Sequence, residues 1–290
     1  MISSRAVVPD NGRPPRRARP GLTLAELLVT MVIVGIIGGA FTRMMVHQSR
    51  FMDAQNTNRQ ARSVSRGALN VMMSELRMVA APGGVLAAGG DSILVRVPYA
   101  FGVLCGSTNV ASTFSLAPMD SLAYSEGGAT SYAWRDSTGN YTHQNANFTM
   151  GNGLVTDCAA AGITTLTRGK IVTVTPRVPV AAVSGTPVFL ARRVQFKFAA
   201  SAALPGRRAL WRKNIGTGTS EELVAPFDAS ARFRFFVDGA TASQVNPPAV
   251  LTTLRGLELR LAGASDRARL TSGSPSTAEL QTAVFFMNRP

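Results

Sequence analysis

The sequence predicts an α+β protein, with one long N-terminal helix packed on a mainly antiparallel β head. Three observations point there. An apolar stretch beginning at Leu22 runs without a breaker into an amphipathic segment that reaches Ala80. Past Gly90 the pattern switches to short alternating or β-branched runs separated by turn residues. The helix comes first and the strands follow, which is the order of α+β chains and not of alternating βαβ units.

Residues 1–21 form a basic leader. Arg5, Arg13, Arg16, Arg17 and Arg19 stand against a single Asp10, and Pro9, Pro14, Pro15 and Pro20 prevent regular structure. Residues 22–42 change character abruptly, and no charged residue occurs from Leu27 to Thr42. As a helix this stretch covers roughly 31 Å, the thickness of a bilayer's hydrocarbon core. The arginines before it keep the N-terminal end cytoplasmic and send the rest of the chain across the membrane. Residues 43–81 continue the helix. Ala61, Val64, Ala68, Val71, Met72, Leu76 and Val79 recur at spacings of three and four, which places them on one stripe facing a globular head. Pro82-Gly83-Gly84 is the expected stop. A single rod from Leu22 to Ala80 would measure roughly 88 Å. Arg43, Arg50, Arg59, Arg62 and Arg66 read as a solvated face, with contact to acidic lipid or a partner as the alternative.

Residues 82–290 form the head. Expected strands are Ser92–Val97, Ser131–Arg135, Lys170–Thr175, Val188–Phe198, Ala209–Lys213, Arg232–Val237, Leu254–Leu261 and Leu280–Met287. Phe233 and Phe235, with Leu257, Leu259 and Leu261, share one face; Arg234, Glu258 and Arg260 take the other. Spans 99–130, 136–166, 239–250 and 263–277 are rich in Gly, Ser, Ala and Thr and read as loops, the first two long for a compact domain.

The basic leader and apolar run also fit an ordinary signal peptide, with a small-residue site near Gly38-Gly39-Ala40. Glu26 argues against that. A carboxylate inside an apolar stretch costs about 2.5–3.5 kcal/mol at a helix centre and somewhat less near its end, and one that is retained needs a partner. Leader, Gly21, Leu22-Thr23-Leu24-Ala25-Glu26 and the apolar helix together resemble the type IV prepilin cleavage motif. The resemblance implies that a prepilin peptidase cuts between Gly21 and Leu22 and that Leu22 is N-methylated. The family's usual first mature residue is Phe, so Leu22 departs from it while remaining bulky and apolar. Glu26 would be the fifth mature residue, paired with the N-terminal amine of a neighbouring subunit. That pairing removes two lone charges from hydrocarbon and fixes the stagger between subunits. Gly35, Gly38 and Gly39 are either close helix-packing points or places where the helix softens. More loosely, Val188–Phe198, Ala209–Arg212, Glu222–Phe227 and Ala231–Val237 are similar to the heads of larger minor pilins. The nearest kinds are the J-type pseudopilins of type II secretion and the W-type minor pilins of type IV pili.

Composition narrows the function. The chain of 290 residues is 46% hydrophobic and 16% charged, too apolar for disorder. Its two histidines, His47 and His143, leave little for acid–base or metal chemistry. His47 reads as a solvated helix residue and His143 as a surface loop residue. No G-x-S-x-G, H-E-x-x-H, P-loop or C-x-x-C occurs. Gly151-Asn152-Gly153 and Gly216-Thr217-Gly218 lack the third glycine and the strand–helix setting of a dinucleotide site. Asp136-Ser137-Thr138-Gly139-Asn140 has too few acids for an EF-hand loop, so any calcium site there is weak. Trp134, Trp211, Phe233 and Phe235 read as core. No catalytic residue, cofactor or metal is expected.

Cys105 and Cys158 fall in the two long loops of a head that meets an oxidising compartment, so a disulfide is expected, with two separate buried thiols as the alternative. It would close a loop of about 54 residues, worth roughly 4 kcal/mol on the chain-entropy account.

The expected function is that of a non-catalytic minor pilin or pseudopilin, which helps initiate or cap a type IV pilus or a type II secretion pseudopilus. Its partners would be prepilin peptidase, other minor and major pilins or pseudopilins, and membrane lipid. It would sit in the inner membrane, single-pass, with a periplasmic head. The rival reading is a tip subunit that binds DNA or a surface ligand. The formal charge is +14, and losing the leader's five arginines and Asp10 leaves +10, which suits phosphate contact. Yet no arginine cluster with interleaved aromatics stands out in the head.

Overall fold

The computed structural model describes residues 21, 23–80, 82–136, 139–151, 155–164, 168–179, 182–270 and 272–286. The first element is α1 (Leu24–Leu76), a helix of 53 residues. Ala, Leu, Met and Arg recur along it, and no proline interrupts it. Compact units divide between Phe51 and Met52. Before that division every described side chain is exposed, over a segment whose most apolar 18-residue window has a mean hydropathy of 2.2. By length and composition this helix can cross a membrane. Arg43, Arg50, Arg59, Arg62 and Arg66 are all exposed, as is His47.

Beyond Met52 the buried face of α1 carries Ala61, Val64, Ala68, Met72 and Leu76, together with the polar Thr57 and Ser65. Val71 is only partly buried. The helix ends at Leu76, four residues before Ala80, where the sequence places its end. Its last turn tightens, with the N–H groups of Met78 and Val79 donating to the carbonyls of Glu75 and Leu76 at 3.1 and 3.2 Å. Two anchors impose the early turn. Glu75 is held by Arg192 and Arg212 at 3.1 and 2.7 Å, and Val79 is fully buried in the core.

The described strands of the head are β1 (Val85–Gly89), β2 (Ser92–Ser107), β3 (Ser112–Leu116), β4 (Ser131–Arg135), β5 (Tyr141–Asn145), β6 (Asn147–Gly151), β7 (Lys170–Thr175), β8 (Pro187–Ala200), β9 (Arg208–Asn214), β10 (Ser220–Phe227), β11 (Arg232–Val237), β12 (Leu254–Ala268) and β13 (Pro275–Phe285). They form one antiparallel sheet with the spine β11-β12-β10-β9-β8-β2-β3-β7-β6. β1 is added on β2, β13 on β12, and the β4–β5 hairpin on β8. Two short helices, α2 (Pro118–Gly127) and α3 (Val155–Ala160), complete the α+β architecture.

Three of the four predicted loops are largely structured. The span 99–130 holds the second half of β2, β3 and α2. Pro98 ends the alternating pattern in sequence, but it sits at a register shift against β8, where its missing N–H is tolerated. α2 carries an overlooked signature, Pro118 at its start and Gly128 in the left-handed region (φ 62°) at its end. The span 136–166 holds β5, β6 and α3, and 263–277 holds the end of β12 and the start of β13. Met287 lies outside the described residues.

The main core joins the second part of α1 to the sheet through Met72, Leu76, Phe196, Phe198, Phe233 and Phe235. Closest approach is at Gly263. Ser65 Oγ accepts from the Gly263 N–H at 2.9 Å and lies within hydrogen-bonding distance of the carbonyls of Leu261 and Ala278. A second core gathers Phe114, Tyr132, Trp134 and Leu190. Trp211 is half-buried, its indole N–H donating to the Ala200 carbonyl at 3.0 Å.

Candidate functional site

The residues the sequence singles out for processing meet at the start of α1. Gly21 is exposed, and Leu22 lies outside the described residues. Thr23 is the N-cap and Glu26 the third helical residue. The Glu26 N–H donates to Thr23 Oγ1 at 3.3 Å, while Glu26 Oε2 accepts from the Thr23 N–H at 2.9 Å and from its hydroxyl at 3.1 Å. This reciprocal capping box satisfies two donors that the first turn would otherwise leave unpaired. A carboxylate here also lies at the positive end of the helix dipole. From the sequence Glu26 reads as an acid needing an outside partner, and Thr23 carries no expected role. The T-x-x-E spacing was the available signal. Both bonds converge on Oε2, and Oε1 has no hydrogen-bond partner among the described residues.

Farther along, Leu24 to Met52 present Leu, Val, Ile, Met and Phe on all sides. A Cβ built on Gly35, Gly38 or Gly39 would meet nothing within 4 Å. Glycine costs about 1 kcal/mol against alanine in a helix interior, and nothing among the described residues calls for it there.

Cys105 and Cys158 are bonded as a disulfide, with their Cα atoms 4.5 Å apart. They were expected in loops. Cys105 instead lies on β2 and Cys158 on α3, both buried beside Ile171.

His143 departs furthest from expectation. It lies on β5, not in a surface loop, and lines an apolar cavity of about 160 Å³ with Met78, Ala80, Pro98, Tyr141 and Phe189. Both ring nitrogens are buried without a hydrogen-bond partner. Burial, with a smaller contribution from the Arg96 guanidinium, pushes its pKa down to about 4. The folded protein therefore binds fewer protons than the unfolded chain between pH 6.5 and about 4. Stability from this group is complete above pH 6.5 and is lost as pH falls through that window, by about 3 kcal/mol at the bottom of it. His143→Phe should flatten the difference. Thermal unfolding of both proteins from pH 7.5 to 4 checks this, and parallel acid limbs would contradict it.

Of the other candidates, Asn152 and Gly153 lie outside the described residues, as do Ser137 and Thr138. Asp136 Oδ1 accepts from the Asn140 N–H at 3.0 Å. Among the described residues no group of three or more His, Cys, Asp or Glu is placed to hold a metal ion.

Residues 16–42 match the family model of the prokaryotic N-terminal methylation motif. Comparison with curated proteins and with solved structures returns no match. The matched segment ends at Thr42 and includes Gly21, Thr23, Glu26 and the three glycines. It marks a type IV prepilin-like N-terminus and points to a structural subunit, one that prepilin peptidase processes and that assembles with other pilins. Motif and apolar helix together fit a pilin-like protein anchored in the inner membrane.

Proposed function

We propose that the chain is a non-catalytic minor pilin or pseudopilin that helps initiate or cap a type IV pilus or type II secretion pseudopilus. The observation that carries this reading is the methylation motif over residues 16–42, continuous with an apolar helix whose side chains are exposed on every side. In this reading 1–21 is the leader, 22–42 the membrane segment, 43–81 its amphipathic continuation and 82–290 the periplasmic head. Gly21 and Leu22 flank the cleaved bond, and Leu22 carries the methylated amine. Glu26 keeps Oε2 on its own Thr23 and offers Oε1 to the amine of a neighbour. Gly35, Gly38 and Gly39 admit close approach of neighbouring subunit helices, a use that the open space around them allows. A large head with a long antiparallel sheet suits a low-copy subunit at a filament end better than a repeating shaft subunit.

N-terminal sequencing and mass spectrometry of the protein from cells with an active peptidase test the reading. The expected product begins at methylated Leu22. A chain beginning at Met1 or after Ala40 would overturn it. Export also supplies the oxidant for Cys105 and Cys158, so protein purified from the native membrane should show no titratable thiol before reduction. Two thiols before reduction would count against a periplasmic head.

A further inference from the structure

The head carries two arginines in a position that ordinary folding disfavours. Arg96 on β2 and Arg193 on β8 are direct cross-strand partners, which puts two cations side by side on one face of the sheet. Neither has a carboxylate within ion-pair distance among the described residues. The next residue on β8, Arg192, has Glu75 at 3.1 Å. Arg96 is only 8% exposed. It donates to the Gly83 carbonyl and to Asn145 Oδ1, but its Nε–H has no partner. Arg193 makes no side-chain hydrogen bond or ion pair with a described residue, and its Nε is buried. Burial, and then the charge of Arg193, hold Arg96 below the usual arginine value.

One of the two lines a cavity directly and the other reaches it through a hydrogen bond. Arg193 lines a space of about 530 Å³, and Arg96 donates to Asn145 Oδ1, whose residue lines it too. Thr130 contributes a buried hydroxyl that also lacks a partner. Phe148 and Ile215 add apolar wall. Unpaired buried cations and donors are costly and need compensation. Guanidinium groups meet the oxygens of carboxylates and phosphates in matched pairs of hydrogen bonds.

We propose that this cavity is a binding site for an oxyanion, a carboxylate or phosphate borne on a small organic group, held by Arg193 with Thr130 and with Arg96 hydrogen-bonded to Asn145. The site lies in the head and is independent of the N-terminal assembly chemistry. A polar space of this size takes one such group and does not accommodate a nucleic-acid duplex.

The test follows thermal unfolding of the full-length chain in detergent, titrated with sodium phosphate or sodium acetate against sodium chloride at matched ionic strength. Phosphate or acetate should raise the melting temperature saturably by roughly 5 °C, through binding to the folded state alone, and chloride should not. Whichever anion saturates at the lower concentration assigns the ligand as phosphoryl or carboxylate. Arg193→Gln should lose that rise and should itself melt higher than the wild type in chloride, because a like-charge contact is relieved. Arg193→Lys should keep a reduced rise. Broadening of the phosphorus resonance of inorganic phosphate by the wild-type protein, reversed by excess acetate, gives a readout that needs no variant. No difference between the oxyanions and chloride, or an equal rise in Arg193→Gln, would overturn the proposal.

Discussion

Glu26→Gln is expected to reach the membrane at the wild-type level and to fall at least tenfold in filament incorporation. The capping box explains why insertion survives. Glutamine in the third helical position makes the same reciprocal bonds with Thr23, and a neutral amide is cheaper to place in hydrocarbon than a carboxylate. What disappears is the negative charge at Oε1. In an assembled filament the neighbour's N-terminal amine would then be buried without a counter-charge. Removing one partner of a buried pair costs about 3–5 kcal/mol, which exceeds the 1.4 kcal/mol that a tenfold loss represents. Thr23→Ala is the complementary variant. It loses the cap hydroxyl but keeps the charge, so incorporation should fall much less. Immunoblots of membrane and sheared-filament fractions, with methylation of Leu22 checked by mass spectrometry in the same strains, separate the two effects. Normal incorporation of Glu26→Gln would mean that Glu26 serves the helix start and nothing more.

Gly263→Ala should be strongly destabilising, because the added methyl falls between α1 and the sheet. A Cβ at this position would stand 2.2 Å from the Ala61 carbonyl oxygen and 2.6 Å from Ser65 Oγ. The first of these is backbone, so no side-chain rotation relieves it. α1 would have to back away from β12, and the three contacts that Ser65 makes across the gap would lengthen together. Overpacking of a tight core costs about 1–3 kcal/mol and occasionally more, and a buried hydroxyl left unpaired adds about 1–3 kcal/mol. A fall in melting temperature of roughly 10 °C is expected. Ser65→Ala, which removes the bonds without adding volume, should fall by less than half of that. Equal melting temperatures for Gly263→Ala and wild type would show that the helix and sheet are less tightly docked than their geometry indicates.

Much of the head was legible where a strand's own alternation carried it. β4, β7 and β11 have the bounds read from the sequence, and β8 and β9 differ by only one or two residues at each end. Apart from β1 and β10, the failures share a cause. β3, β5, β6 and the extensions of β2 and β12 are rich in Ser, Thr, Gly and Asn, residues that score as loop on their own and become strand only through a neighbour's hydrogen bonds. Thr57 and Ser65 were missed for the related reason that an apolar stripe does not announce polar members. They enter the buried face because Ser276 and Gly263 offer them partners.

Gly21, the T-x-x-E start, the unbroken apolar run and its amphipathic continuation are legible in the chain alone. Those features depend on residues within a few positions of one another, and helix periodicity reads them directly. The contact of Gly263 with Ser65, the burial of His143 and the pairing of Arg96 with Arg193, with no acid between them among the described residues, arise only once the chain is folded. The arginine pair and the setting of His143 join distant residues through strand register, and the Ser65–Gly263 contact joins them through docking of α1 on β12; both follow from the whole sheet burying its face at once.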